Sequence, residues 1–441
     1  MQEKRSKTYR WRFSVRKGIC LFAILFVLAA CGSKKNIYEI NLMPAPDIYK
    51  NELVNPFTDH DPIADIPFQG ILYATDRQPA EGSDEFYANE RGGLLRVGIG
   101  SFVIGDEEIT WEEARQISLL KNRTENYPIK LTQVEELGVL DRSIHMFTHP
   151  DLVPEDIHGP AEQFVRHVNE KLERSAVKDI YIYVHGFKVV FNNPLLVAAE
   201  LWHFLGYEGV FVAYAWPSTP SNRAYVADLE TAVLSSQNFR KFLQYLAEET
   251  QANRINIIGY SAGTRVVINA LQQLALLHHG ETRRSIQEKL KIGNVILVGS
   301  DYGAQQFGAG IVDGMLNVPK AMYVYISETD KALGLSRWLF KRQRLGQLVL
   351  DQQLNPEVDR FLDNNQELQF IDVTGAEGSS EGNGHAYFRK SPWVSSDILI
   401  TLMYGLKPDE RGLVPHDQLP AWIYPEDYIE RLRDVLSEEL Q

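Results

Sequence analysis

Residues 255–267, INIIGYSAGTRVV, decide the fold of this chain. An apolar run ends at Gly259, Ser261 follows one residue later, and apolar residues then recur at helical spacing from Val266 onward. This order predicts a buried strand, a sharp turn and a helix. A corner of this kind strains the backbone of its central residue and leaves room only for small neighbours. We therefore expect Ser261 to project its hydroxyl from the edge of a sheet.

The segment GYSAG fits G-x-S-x-G and resembles the nucleophile elbow of α/β-hydrolases. The helix that follows would place the backbone N–H of Ala262 beside a developing oxyanion. A serine hydroxyl is a weak nucleophile at neutral pH, so it needs a base that is itself oriented by a third group. In this superfamily the three groups follow one another along the chain as serine, acid and histidine.

Four histidines follow Ser261 and are candidates for the base. His385 is in a glycine-rich loop just after the predicted strand 368–373, and His416 is the reserve candidate. His278 and His279 end the helix that begins near Ser261, about 25 Å away at 1.5 Å per residue. We expect His385 to be the base.

The acid should follow a strand between the serine and the histidine. Asp330, in YISETDKAL, stands at the carboxyl end of the predicted strand 322–327 and is the favoured residue. Asp301, which ends the preceding strand, and Glu328 are alternatives. Asp372 lies within a predicted strand.

A second oxyanion donor is expected in the loop after the strand 180–186, where YVHGF places Phe187. The backbone N–H groups of Phe187 and Ala262 would then form the oxyanion hole. His185 precedes the serine in the chain, so we interpret it as a support for this loop and not as the base.

Short β-branched runs alternate with helical patterns from residue 66 onward. The alternation predicts a mainly parallel sheet with helices on both faces. The resemblance of GYSAG to a nucleophile elbow implies that this sheet is that of the α/β-hydrolase fold. The predicted strands are 71–75, 94–100, 180–186, 210–216, 255–259, 295–300, 322–327 and 368–373. The predicted helices are 160–176, 194–206, 223–250, 262–278, 332–345 and 392–404.

Six segments over about 320 residues carry a resemblance to a poorly characterised bacterial family of α/β-hydrolases described as esterase- or lipase-like: YATDR, YVHGF, YAWPS, GYSAG, YISETDKAL and GNGHAYF. The resemblance implies a serine hydrolase that cleaves carboxylic esters through an acyl-enzyme. Amide or thioester hydrolysis on the same triad, or an inactive binding protein of the same fold, are the alternatives. Thr75, Asp76, Arg77 and Asp228 are interpreted as structural, with substrate contact as the alternative. We find no metal-ligand spacing and no nucleotide fingerprint, so no cofactor is expected.

The first thirty residues have the layout of a secretory signal, with seven basic residues ahead of a short apolar run. They end in LAAC, which resembles the bacterial lipobox and makes Cys31 the lipidated residue. We expect a tether over 31–65, a hydrolase domain over 66–441 and an outer-membrane lipoprotein that faces the periplasm. Removal of residues 1–30 changes the net charge from −13 to −19, a balance that disfavours nucleic acid as a partner.

Residues 331–350 interrupt the acidic composition with five basic residues and an apolar face at helical spacing. We interpret the segment as a helix packed on the sheet. The alternative is a lid that meets acyl chains or lipid headgroups. The expected partners are a small acyl-ester or lipid substrate and a membrane reached through the lipid anchor.

Overall fold

Twelve strands of the described residues form one sheet, built around a parallel core. The computed structural model describes residues 39–49, 54–57, 70–81, 85–105, 109–123, 125–340, 343–347, 360–362, 364–417 and 419–439. The strands are β1 Glu39–Asn41, β2 Ile71–Pro79, β3 Tyr87–Ile104, β4 Pro128–Val139, β5 Asp179–Val184, β6 Val210–Tyr214, β7 Arg254–Tyr260, β8 Ile292–Val298, β9 Ala321–Ile326, β10 Leu368–Asp372, β11 Val414–Pro415 and β12 Trp422–Ile423.

Eleven α-helices connect these strands in the described part of the chain. They are α1 Trp111–Ser118, α2 Gly159–Arg174, α3 Asn192–Phe204, α4 Tyr225–Glu249, α5 Gly263–Leu277, α6 Arg283–Leu290, α7 Ala304–Val312, α8 Lys331–Phe340, α9 Tyr387–Lys390, α10 Pro392–Tyr404 and α11 Tyr428–Glu439. Among the described residues, none of these helices has the length and apolar character that a membrane span requires.

The spatial order of the strands is β1-β4-β3-β2-β6-β5-β7-β8-β9-β10-β12-β11. The strands from β2 to β12 in this order pair in parallel, and antiparallel strands close both edges. Parallel neighbours present their carboxyl ends at one edge of the sheet. The loops after β5, β7, β8, β9 and β10 therefore meet there, which places the predicted site residues in one region.

Both faces of the sheet are covered, as the near-continuous apolar strands predict. Ile180, Ile182 and Val184 of β5 point into an apolar cluster formed with α2, α4 and α5. Tyr181 and Tyr183 alternate with them and point into a second cluster with α3, α10 and α11. The α/β fold class is confirmed, with helices on both faces of the sheet.

The folded domain begins earlier in the chain than residue 66, where the sequence predicted its start. The described residues all lie in one compact unit, Glu39–Gln441. β1 pairs with β4, Ile48 and Tyr49 are buried, and the amide of Met43 donates to the buried Glu200 at 2.7 Å. The expected tether is therefore wrong for residues 39–49 and 54–57, because their apolar side chains complete the second cluster. Residues 1–30 and Cys31 lie outside the described residues.

Within the described part of the segment 331–350, the helix α8 ends at Phe340. Residues 344–347 lie buried beside the chain after β8, with Leu345 N–H donating to the carbonyl of Tyr302 at 2.9 Å and Gly346 N–H donating to the carbonyl of Ser300 at 2.9 Å. These four residues are part of the packed domain. The predicted apolar face consists of Leu335, Trp338, Leu339 and Leu345. Leu345 is buried, and the side chains of the other three lie outside the described residues.

Candidate active site

Ser261 stands at the corner between β7 and α5 in a left-handed backbone conformation, with φ of 53°. A residue with a Cβ rarely adopts this region, so the surrounding structure must hold it there. The glycines of the motif allow the close approach. A Cβ on Gly263 would lie 2.2 Å from the carbonyl oxygen of His185, and a Cβ on Gly186 would lie 2.8 Å from the Cβ of Ser261.

Three predicted residues meet in one chain of hydrogen bonds. His385 Nε2 lies 2.8 Å from Ser261 Oγ, and His385 Nδ1 lies 2.6 Å from Asp330 Oδ2. Because a carboxylate only accepts, Nδ1 carries the proton and Nε2 is left to accept from the serine hydroxyl. Asp330 is fully buried and His385 is 9% exposed, whereas Ser261 is half-buried. Of the three hydrogen-bonded residues, Ser261 is therefore the most exposed.

The backbone fixes this arrangement from two sides. Asp330 Oδ1 accepts the N–H of Leu333 at 3.0 Å, which holds the carboxylate against the first turn of α8. Gly299, just after β8, has φ of 54°, and a Cβ there would lie 3.0 Å from His385 Cε1. Its N–H donates to the hydroxyl of Tyr387 at 2.6 Å. Sequence reasoning missed the roles of Gly299 and Tyr387, although Tyr387 lies in GNGHAYF, because the two residues that meet here are far apart in the chain.

The alternative acids and bases lie elsewhere. Asp301 is buried in a separate polar cluster, Glu328 is exposed, and Asp372 accepts from the backbone N–H of Thr374.

The other candidate bases also lie away from Ser261. His278 follows the last residue of α5 and lies beside Glu281. His416 follows β11, and its backbone N–H donates to Ala421 at 2.8 Å. Among the described residues, only His385 is hydrogen-bonded to Ser261 through its ring.

The loop after β5 approaches the serine closely. Gly186 packs against Ser261, Gly263 packs against the carbonyl oxygen of His185, and the half-buried Phe187 follows Gly186. Within the described residues, the backbone N–H groups of Phe187 and Ala262 donate to no protein acceptor. Two unused amides beside a serine hydroxyl are the arrangement that an oxyanion requires.

The motifs YATDR and YAWPS hold this loop. Arg77, fully buried, donates to the carbonyl of Val189 at 2.7 Å. Ser218 donates to the same carbonyl at 2.8 Å and accepts from the Val189 N–H at 3.0 Å. Thr75 donates to Ala215 at 2.6 Å. The structural interpretation of these residues therefore agrees with their contacts, and Ser218 is an addition that the sequence did not single out.

Asp76 and Asp228 also have structural partners. Asp76 accepts from Ser235 on α4, and Asp228 accepts from the backbone N–H of Thr219 at 2.7 Å. Burial raises the pKa of both carboxyl groups above the usual value for aspartate. Asp76 thus joins β2 to α4, and Asp228 joins α4 to the loop at Thr219.

His185 supports the loop that follows β5 from the interior of the domain. Its ring is fully buried and stacks on Trp216 at 5.3 Å between centroids, and the indole N–H of Trp216 donates to the carbonyl of His185 at 2.6 Å. Burial lowers the pKa of His185 to about 3, so the ring is neutral. A neutral buried ring without a contact to Ser261 agrees with the structural interpretation.

A family comparison agrees with this architecture. The model of a family described as alpha/beta hydrolase of unknown function (DUF900) matches residues 161–402, more than half of the chain. The chain belongs to this α/β-hydrolase family. The matched residues include Ser261, Asp330, His385 and the loop of Phe187. A search of the curated proteins gives no match. Family membership gives hydrolase as the class of protein, and the family description names no substrate.

This α/β-hydrolase has a second buried Ser–His pair. Ser118 Oγ lies 2.7 Å from His203 Nε2, whose Nδ1 lies 2.7 Å from the hydroxyl of Tyr207. Both Ser118 and His203 are fully buried, and Ser118 also donates to the carbonyl of Ala114 at 2.6 Å. No substrate carbonyl can reach this hydroxyl, so the pair serves packing. Ser118 is therefore a control residue for experiments on Ser261, because it has a histidine partner but no access to substrate.

Proposed function

We propose that this α/β-hydrolase cleaves carboxylic esters through an acyl-enzyme formed on Ser261. The observation that carries the proposal is the continuous hydrogen-bonded chain from the half-buried Ser261 hydroxyl through His385 to the buried Asp330. Two amides without protein acceptors beside the serine support it further.

In the first half-reaction, Ser261 Oγ attacks the ester carbonyl carbon and its proton passes to His385 Nε2. The N–H groups of Phe187 and Ala262 stabilise the oxyanion of the tetrahedral intermediate. Collapse of the intermediate expels the alcohol, which takes the proton from His385. Asp330 holds Nδ1–H and stabilises the imidazolium form during both transfers.

In the second half-reaction, His385 takes a proton from water, and the resulting hydroxide attacks the acyl-enzyme carbonyl. The second tetrahedral intermediate uses the same two amides. Its collapse releases the carboxylic acid and returns the proton to Ser261. The histidine thus acts as base and then as acid in each half, so one neutral imidazole suffices.

A panel of substrates tests the reaction class. An activated ester, a thioester and an amide with the same acyl group are each offered to the wild type and to Ser261→Ala. We expect the ester to be turned over fastest, and Ser261→Ala to lower kcat by roughly 10³-fold or more. Preference for the thioester or the amide would assign the same triad to those bonds. Equal turnover by the wild type and Ser261→Ala would show that Ser261 is not the nucleophile.

We propose further that the protein is an outer-membrane lipoprotein acylated at Cys31, which would bring the site close to lipid or acyl-ester substrates. The support is the sequence LAAC after a short apolar run. Membrane fractionation of Cys31→Ser tests this proposal. We expect the variant to leave the membrane fraction, and retention equal to the wild type would favour an uncleaved signal anchor.

A further inference from the structure

Asp301, the alternative acid, is the centre of a buried cluster beside the candidate site. Its side chain is 3% exposed and accepts from the hydroxyl of Tyr225 and, at 2.6 Å, from the hydroxyl of Ser336. The guanidinium Nε atoms of Arg265 and Arg344 lie 3.4 Å from its two carboxylate oxygens. The hydroxyls of Tyr225 and Ser336 are themselves 2.9 Å apart.

Two partners of Asp301, Arg265 and Ser336, belong to helices that begin beside a residue of the candidate site. Arg265 is on α5, directly after the corner at Ser261, and Ser336 is on α8, which begins next to Asp330. The backbone N–H of Asp301 points at the carbonyl of Ser261 at 3.4 Å. One carboxylate therefore joins the serine segment to the acid segment.

Tyr225 extends the cluster to the oxyanion loop. It begins α4, and its ring packs edge-on against Phe187, with 5.0 Å between the centroids. Burial and the neighbouring Asp301 raise the pKa of Tyr225 well above its usual value, so its hydroxyl stays a donor. Because the hydroxyl is fixed, the ring that supports Phe187 has one orientation.

A buried ion cluster does not by itself indicate stability, since desolvation of the charges offsets their attraction. We infer that Tyr225 and Asp301 are positioning residues, which set the amide of Phe187 relative to Ser261 and so act on oxyanion stabilisation. This inference rests on the proposed ester hydrolysis. Displacing an oxyanion donor affects the transition state more than the bound substrate.

The test is Tyr225→Phe, which keeps the ring against Phe187 and removes only the hydroxyl. We expect kcat on an activated ester to fall roughly tenfold to a hundredfold with KM nearly unchanged, the range for a slightly misplaced group. The inhibition constant of a boronic acid, which forms a tetrahedral adduct on the serine, should rise by a similar factor. The matched control is Tyr302→Phe. Its hydroxyl bonds to Asn269 and Gln272, and we expect wild-type kinetics.

Ser336→Ala replaces the test if Tyr225→Phe does not fold, as judged by circular dichroism, and the same direction is expected for kcat and for the boronic acid. An active wild type with unchanged kcat and inhibition constant in the folded variant overturns this inference alone. A wild type that hydrolyses no ester overturns the proposed function and this inference with it. A loss confined to KM would also overturn the inference, since it would indicate a role in substrate binding.

Discussion

At the scale of single residues, the hydrogen-bond partners distinguish Asp330 from Asp301. Asp330 and Asp301 each follow a strand of the parallel sheet, at β9 and β8. The difference is that Asp330 accepts from His385 Nδ1, whereas Asp301 faces α4 and α5. The carboxylate that follows β8 therefore has entirely different partners from the carboxylate that follows β9, the neighbouring strand.

Asp330→Asn keeps the size of the side chain and removes the charge that holds the histidine tautomer. We expect kcat on an activated ester to fall by roughly 10³-fold to 10⁴-fold, with the fold retained. The matched control is Glu328→Gln, two residues earlier and exposed, which should leave kcat within a factor of two. Equal kinetics of the wild type and Asp330→Asn would show that the acid has been assigned wrongly.

At the scale of elements, the N-terminal segment acts as part of the domain. The residue Ile48 is fully buried, and its N–H donates to the hydroxyl of Ser396 on α10 at 3.1 Å. The carboxylate of Glu200 on α3 joins Met43 to Arg389 on α9, the short helix that follows His385. The segment therefore packs against the elements that support the base.

Ile48→Ala should lower the free energy of unfolding by roughly 2–5 kcal/mol, because it leaves a cavity between packed elements. Urea unfolding followed by circular dichroism measures the change. Met146→Ala is the control. Its side chain is 89% exposed, so the change should stay within about 0.5 kcal/mol. If both variants unfold at the same urea concentration as the wild type, residues 39–49 do not contribute to the stability of the domain.

At the scale of the whole molecule, two buried histidines make stability depend on pH. Burial lowers the pKa of His185 and of His203 to about 3. In the unfolded chain each would titrate near its ordinary value of about 6.5. Below pH 6.5 the two histidines bind protons in the unfolded state but stay neutral in the folded state. The stabilisation is therefore complete above about pH 6.5 and is lost progressively as the pH falls towards 3.

Lowering the pH from 7.0 to 5.5 should reduce the free energy of unfolding by roughly 2–3 kcal/mol, with half from each histidine. Urea unfolding at the two pH values measures the difference. His203→Gln keeps a polar side chain between Ser118 and Tyr207 and should remove about half of the pH dependence. A free energy of unfolding that stays constant over this range would contradict the assignment of two neutral histidines.

The sequence predicted the parallel core and the three members of the hydrogen-bonded chain, because both depend on local order. Apolar runs such as 255–259 form strands, and the residues that follow them gather at one edge of the sheet. It did not predict β4, whose polar residues mask a strand, or the packing of Ile48 among prolines and polar neighbours. Gly299 and Tyr225 were also missed, since their partners are far away in the chain.

Reaction with a fluorophosphonate, followed by peptide mass spectrometry, tests the central claim most directly. A nucleophilic serine forms a stable adduct with this reagent, and the adduct identifies the residue. We predict one adduct per chain, on the peptide that contains Ser261, and no adduct in Ser261→Ala. The buried Ser118→Ala variant should react like the wild type. An unlabelled folded wild type, or an adduct on another residue, would contradict the proposal that Ser261 is the nucleophile.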